Sequence, residues 1–319
     1  MTEAEPTETA ESPMSVDEAG DVARSVIENT ERVIIGNHDA IEHFVVAVLG
    51  RGHILLEDVP GVGKTMLARA IARSLECSFK RVQFTPDLLP ADITGTNVFN
   101  QQTREFEFRE GPVFANVVLG DEINRAPPKT QAALLEAMEE GTVTVDGATH
   151  TLPDPFFVVA TQNSVERDRT YELPAAELDR FMMKLNLGYP DAREESRVLA
   201  NVVGEHPIDS LDPVATVEEL VAARRTCAAV TVEEPIRDYV TALARYTREN
   251  AQLGVSPRGS ISLLRAAQGR AVLDGRDYVI PDDVQAEARL VFVHRIRTAS
   301  GSGTAAELVD AALSSVGVP

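Results

Sequence analysis

His53-Ile54-Leu55-Leu56-Glu57-Asp58-Val59-Pro60-Gly61-Val62-Gly63-Lys64-Thr65 reads as a short apolar strand that runs into a glycine turn. Leu67, Ala70, Ile71 and Leu75 then recur at helical spacing. A strand, a glycine loop and a helix in that order suit a polyphosphate. The glycines let backbone N–H groups converge on phosphate oxygens, Lys64 neutralises β/γ charge, and Thr65 can ligate Mg²⁺. The helix N-terminus adds partial positive charge. Pro60, Gly61, Val62, Gly63, Lys64, Thr65 and Met66 are therefore the expected nucleotide cradle. The full pattern calls for glycine at position 58, where this chain carries Asp58; Pro60-Gly61 can still make the turn.

Val117-Val118-Leu119-Gly120-Asp121-Glu122 is a buried-strand run that ends in adjacent carboxylates. Core strands usually end in turn residues, so two acids there ask for a chemical reason. At a nucleotide, Asp121 would hold Mg²⁺, directly or through water, and Glu122 would polarise the attacking water. Phe156-Phe157-Val158-Val159-Ala160 is a further apolar strand, and Thr161-Gln162-Asn163 places polar side chains at its C-terminal edge. Ligands of open α/β sheets lie along that edge. Asn163 could hold the water against the γ-phosphate, or could simply cap a turn.

The remaining organisation follows from composition and periodicity. Residues 1–20 carry only acidic charges among Pro, Thr and Ser, which predicts a disordered acidic tail. Structure is expected from Asp21, with Val22, Ile27, Val33 and Ile34 opening a helix. Ile41, Phe44, Val45, Val48 and Leu49 mark one face of a second. Up to residue 189 the chain alternates strands with helices, the pattern of an α/β parallel sheet. Two polar hairpins interrupt it. One carries Phe106 and Phe108 after a turn at residues 100–104; the other folds about Asp146-Gly147, a strong two-residue turn. Residues 190–319 read as helices, for example Val240, Leu243, Ala244 and Tyr246, then Ile261, Leu264, Arg265 and Ala267. Two domains are expected: an α/β nucleotide-binding domain over 21–189 and a helical lid over 190–319.

Charge and cysteine content narrow the setting. The chain has 30 Lys+Arg against 50 Asp+Glu, a net charge of −20, which argues against a broad basic nucleic-acid face and against an anionic membrane surface. Lys64, Lys80, Lys129 and Lys184 are its only lysines. A lysine-poor acidic composition suits concentrated salt, where screening removes self-repulsion, as in a salt-adapted archaeon. Cys77 and Cys227 form no redox or metal-ligand spacing, and the histidines are scattered. With an acidic N-terminus and no bilayer-length apolar run, a soluble cytoplasmic protein is expected.

A specific resemblance joins these motifs. Asp121-Glu122-Ile123-Asn124-Arg125-Ala126-Pro127-Pro128-Lys129-Thr130-Gln131, then Leu134-Leu135-Glu136-Ala137-Met138, resembles the MoxR family of AAA+ ATPases. So do residues 59–65, Ala160-Thr161-Gln162-Asn163, Leu178-Asp179-Arg180-Phe181, Ser256-Pro257-Arg258, Asp282-Asp283-Val284 and His294-Arg295. The resemblance spans, in order, nearly all of the chain beyond the acidic tail. It implies an AAA+ P-loop core with a C-terminal helical lid, ATP and Mg²⁺ as cofactors, and a hexameric ring. By position, Lys64 and Thr65 are the Walker A residues, Asp121 and Glu122 the Walker B pair, and Asn163 sensor 1. Arg180 matches the arginine finger offered to a neighbouring subunit. Arg258 matches sensor 2, expected to draw the lid onto the phosphates. The hairpins match the helix-2 and pre-sensor-1 inserts. Where the family has Gln, Glu and Gly, this chain has Arg167-Asp168-Arg169.

Three functions compete on this reading. The first is a chaperone-like ATPase that remodels or matures protein complexes, with a von Willebrand factor A domain protein as the implied partner. The second is a nucleic-acid-associated AAA+ motor, which the net charge disfavours. The third is a nucleotide-gated assembly scaffold with slow turnover. Glu122 argues for turnover, because a pure binding module needs no water-activating carboxylate.

Overall fold

The computed structural model describes residues 14–163, 171–202, 207–299, 301 and 303–319. The chain opens with helices α1 (Val16–Glu31) and α2 (His38–Leu49), then strand β1 (Ile54–Asp58), α3 (Lys64–Ser74) and β2 (Phe79–Gln83). A short helix α4 (Pro90–Thr94) leads into the hairpin β3 (Gly95–Asn100)–β4 (Glu105–Glu110). Strand β5 (Val117–Asp121) and helix α5 (Pro128–Glu140) precede a second hairpin, β6 (Thr142–Val145)–β7 (Ala148–Thr151). Strand β8 (Phe157–Asn163), the short α6 (Ala175–Leu178) and β9 (Met183–Leu185) complete the α/β part. Six helices follow: α7 (Ala192–Val202), α8 (Val217–Ala229), α9 (Glu234–Asn250), α10 (Pro257–Leu273), α11 (Pro281–Phe292) and α12 (Ala305–Ser315).

Five strands form one parallel sheet in the order β2-β5-β8-β1-β9. Successive strand residues point to opposite faces, and both faces are covered, as parallel sheets require. Ile54, Leu56, Leu119 and Val159 face one core, while Leu55, Val118, Val158 and Ala160 face the other. Register sets Asp58 beside Asn163, and Gln83 beside Asp121. All four therefore lie along the C-terminal edge of the sheet.

The first of these cores does not stop at the sheet. It runs without a break from Ile54 and Phe157 through Phe44 and Val46 of α2 into Ala223, Leu243, Leu263 and Val284 of the helical segment. Helix α1 packs on α8 and α10 as well as on α2 and α3. Arg224 of α8 donates to the Val48 carbonyl at 2.8 Å, and Arg270 of α10 pairs with Glu42 of α2 at 3.0 Å. The helical part shares its interior with the α/β part.

Three sequence expectations need correction here. Residues 14–20 are not a disordered tail: α1 begins at Val16, five residues before Asp21. Ser15 caps it reciprocally with Glu18, and Ala19 and Ala23 are buried. Glu18, one of the acids of this segment, completes the capping box instead of leaving the chain unfolded; residues 1–13 lie outside the described residues. Val33 and Ile34 are not helical, because α1 ends at Glu31. In α10 the buried face is Leu263, Ala266 and Ala267, with Ile261 exposed. Leu263, Ala266, Ala267 and Arg270, which pairs with the buried Glu287, share one face of the helix at i, i+3, i+4 and i+7 spacing.

Candidate functional site

The phosphate loop leaves β1 at Asp58 and enters α3 at Lys64. Gly61 (φ 87°) and Gly63 (φ 95°) both adopt left-handed backbone, which turns successive N–H groups to one side. Nothing lies within 4 Å of where a Cβ would stand on either, so the loop arches over open space. Lys64 is 7% exposed, and its Nζ donates to the carbonyls of Asp58 (2.8 Å), Val59 (3.3 Å) and Gln162 (3.2 Å) and to Asn163 Oδ1 (3.1 Å). Among the described residues no carboxylate pairs with it directly. Burial pulls the Lys64 ammonium below its ordinary range, opposed by the fields of Asp58, Asp121, Glu122 and Glu57. A buried ammonium held by neutral oxygens beside a loop of convergent N–H groups fits an anionic polyphosphate.

Asp58 resolves the departure at the start of the loop. Its Oδ2 accepts from the N–H groups of Leu187 (2.7 Å) and Gly188 (2.6 Å), and Oδ1 from its own neighbour Val59 (2.8 Å). The carboxylate ties the loop's first turn to the chain leaving β9. Its backbone is not left-handed, so no glycine is needed there.

Asp121 and Glu122 lie across the same edge. Asp121 Oδ1 accepts from Thr161 Oγ1 at 2.6 Å, and Oδ2 from Arg81 at 2.6 and 3.0 Å. Glu122 sits in left-handed backbone (φ 55°, ψ 50°), which costs a non-glycine residue about 1–2 kcal/mol. That bend turns its carboxylate back over the edge. Asn163 Nδ2 donates to Oε1 at 2.5 Å; Gln83 (2.8 Å) and Arg125 (2.7 Å) donate to Oε2. Asn163 thus bridges Lys64 and Glu122 through the two ends of one amide. Thr65 follows Lys64 in the first turn of α3. A magnesium ion needs only one or two protein oxygens alongside phosphate, consistent with no His/Cys/Asp/Glu cluster among the described residues. Thr65 and Asp121 are the oxygen donors that would hold it.

Beside the loop is an apolar cleft of about 750 Å³ counting its open mouth. Val33, Ile34, Ile35, Val62, Met66 and Pro190 line it, together with Gly61 and Gly63. A flat, uncharged base adjoining the phosphates fits such walls. Periodicity missed Val33-Ile34-Ile35 by counting the first two as helix; the signal available was Gly36-Asn37 directly after them, both left-handed.

Arg180 and Arg258 come together, but away from Lys64. Both pair with Glu139, Arg180 at 3.1 Å and Arg258 more tightly. Their cleft is lined by Arg51-Gly52-His53 just before β1, and by Met182 just before β9. It is therefore at the N-terminal edge of the sheet, one five-residue strand, roughly 16 Å, from the phosphate loop. The expectation that Arg258 draws the lid onto this chain's own phosphates does not hold in this geometry. Arg295, 4% exposed, sets the arrangement: it donates to Asp179 Oδ1 (2.8 Å) and to the carbonyls of Asp179 (3.0 Å) and Phe181 (2.7 Å). Asp179 also accepts from Ser256, the N-cap of α10 (2.8 Å). One buried guanidinium thus fixes the backbone on both sides of Arg180 while its acid partner fixes the turn before Arg258. The Arg167-Asp168-Arg169 loop lies outside the described residues.

Comparison with known proteins agrees with this geometry. Residues 53–183 match the model of the ATPase family associated with various cellular activities (AAA), and residues 243–312 the AAA lid domain. The chain is 41% identical over 284 residues to Chaperone MoxR1 of Mycobacterium tuberculosis, covering 86% of this chain and 74% of that one. It belongs to the MoxR family of AAA+ ATPases. A second relative, the protein YeaC of Bacillus subtilis, is 52% identical over 299 residues, 92% of this chain and 93% of its own. A crystal structure from Cytophaga hutchinsonii superposes with a TM-score of 0.86 at 35% identity, covering 94% of this chain and 96% of that one. The AAA+ core with a C-terminal helical lid is thereby shown. No helix among the described residues is long and apolar enough to cross a membrane.

Proposed function

We propose that this MoxR-family chain is a Mg²⁺-dependent ATPase that hydrolyses ATP at sites completed between subunits of a hexameric ring. The observation that carries the reading is the separation of Lys64 from Arg180 and Arg258 by the length of strand β1. One subunit holds a phosphate cradle at one edge and a pair of arginines at the other. Mg²⁺, when bound, neutralises the β- and γ-oxygens. Lys64 and the loop N–H groups hold the phosphates, and Thr65 and Asp121 hold the ion. Asn163 keeps Glu122 facing the γ-phosphate, where the Glu122 carboxylate orients a water and takes its proton. Arg180 and Arg258 of the adjoining subunit offset charge on the transferring phosphoryl group, a contribution of roughly 10³–10⁵ in rate for a finger arginine.

The ring would do chaperone-like work, remodelling or maturing partner protein complexes, with a von Willebrand factor A domain protein as the partner class. The family and the name of the MoxR1 relative support this. A cytoplasmic, reducing setting accords with Cys77 and Cys227, both free and buried. Salt-adapted solubility accords with the −20 charge. Mixing Arg180→Ala subunits with Glu122→Gln subunits tests the shared site. Each variant alone should be nearly inactive, and mixtures should recover turnover at interfaces that pair an intact Glu122 with an intact Arg180. No recovery at any ratio refutes the shared site.

A further inference from the structure

Among the described residues, the cleft holding Arg180 and Arg258 is also lined by Arg51 and Arg265 and by the carboxylate of Glu139, with Glu177 in the field of Arg180. In a chain with 20 excess negative charges this is a concentrated positive site. Glu139 is the second-last residue of α5, where the helix dipole disfavours an acid, and Glu140 and a left-handed Gly141 follow it. Helix stability therefore does not explain a carboxylate at this point. Its partners do: one arginine comes from the α/β part and one from the N-terminus of α10, and both are fixed behind by Arg295 and Asp179. Side-chain exposures of 36% for Glu139, 28% for Arg180 and 44% for Arg258 leave the trio open to an incoming anion.

We propose that Glu139 is a stand-in for the neighbouring subunit's γ-phosphate, holding Arg180 and Arg258 together in the free subunit and yielding them when ATP is presented across the interface. The proposal rests on the shared-site reading above. A phosphate carries more charge and more acceptor oxygens than a carboxylate, so the exchange runs toward the phosphate once a neighbour docks. Before docking, Glu139 occupies both guanidinium groups and spares them their mutual repulsion. It is a positioning residue: it touches the arginines and never the nucleotide.

The test is the protein concentration for half-assembly with ATP, by sedimentation velocity, in the full chain carrying Glu122→Gln to block turnover. Glu139→Gln keeps the shape and removes the competitor, so half-assembly should fall about threefold to tenfold, the scale of two partly exposed ion pairs. Glu139→Asp, too short to span both arginines, should move it the same way by less, and stands in if the glutamine variant does not fold. Arg180→Ala and Arg258→Ala should each raise it. In the Arg258→Ala background, Glu139→Gln should lose part of its effect, because only the Arg180 pair remains, a coupling that a merely structural residue would not show. Weakened arginine variants beside an unchanged or weaker Glu139→Gln overturn the stand-in and leave the shared site intact. Unchanged arginine variants overturn both.

Discussion

Asp58→Gly gives the chain the glycine that the phosphate-loop pattern calls for, and it should make the protein worse. The Asp58 carboxylate accepts three backbone N–H groups, from Leu187 (2.7 Å), Gly188 (2.6 Å) and Val59 (2.8 Å), and the residue is 9% exposed. Removing it strands the buried Leu187 donor, at about 1–3 kcal/mol, and weakens two partly wet bonds at about 0.5–1.5 kcal/mol each. The total is about 2–6 kcal/mol, with a further small loss from glycine's backbone freedom in a strand. At about 2–4 °C per kcal/mol, the melting temperature should drop by at least about 4 °C. Thermal unfolding by circular dichroism at neutral pH measures this. A fluorescent ADP analogue should also bind more weakly, because Leu187-Gly188 leads to Pro190 on the cleft wall. Asp58→Asn should fall between the two, since its NH₂ faces donors where an acceptor stood. A glycine variant that melts within 1 °C of the parent and binds ADP equally, at roughly equal affinity, refutes the tether.

Other expectations follow from the same contacts. Lys64→Ala should abolish ATP binding by calorimetry, whereas Glu122→Gln should bind ATP and turn it over at least about a hundredfold more slowly, the scale of a lost general base. Arg295→Met should lose ATPase activity in homogeneous rings yet regain it when mixed with Glu122→Gln subunits, because Arg295 positions the Arg180 offered outward; activity lost in mixtures too would place its effect at its own nucleotide. Stability should fall as pH drops from 6.5 toward 4. Burial pushes His53 down to about 4, so it folds neutral, accepting from the Val158 N–H at Nδ1 and facing the Met138 carbonyl at Nε2. The unfolded chain takes up that proton below pH 6.5, so His53 stabilises fully above 6.5 and loses about 2 kcal/mol of that by pH 5. Burial and the adjacent Arg295 push His294 the same way. His53→Gln should flatten the melting-temperature profile over pH 7.5–5, and an unchanged slope counts against the assignment.

Much of the site was legible because its chemistry is local in sequence. Lys64 lies one residue beyond the glycine turn, and Asp121-Glu122 end a strand whose apolar run needs no context to recognise. Asn163 was legible for the same reason, as a polar side chain at the end of a buried strand. What escaped depended on partners far along the chain. Asp58 looks like a defect until Leu187 and Gly188, 129 and 130 residues later, are seen to donate to it. Arg258 could be named from Ser256-Pro257, yet its direction is set by Glu139, 119 residues earlier. Val33-Ile34 satisfied helical spacing and left the helix anyway, because the chain must turn there to wall a cleft. Arg295 carried no signal beyond its place in a motif, since a buried arginine earns its role only from the carbonyls around it.

The core shared by the sheet and the helical segment has a mechanical consequence. A lid that closes on its own nucleotide needs a joint, and here that joint would have to part Phe44, Val46, Leu263 and Phe157 from a common interior while breaking the Arg224 and Arg295 bonds. The sheet and the helical segment are packed about one interior. On the proposed shared-site reading, nucleotide-driven motion would fall at the seams between copies rather than between the sheet and helices of one copy.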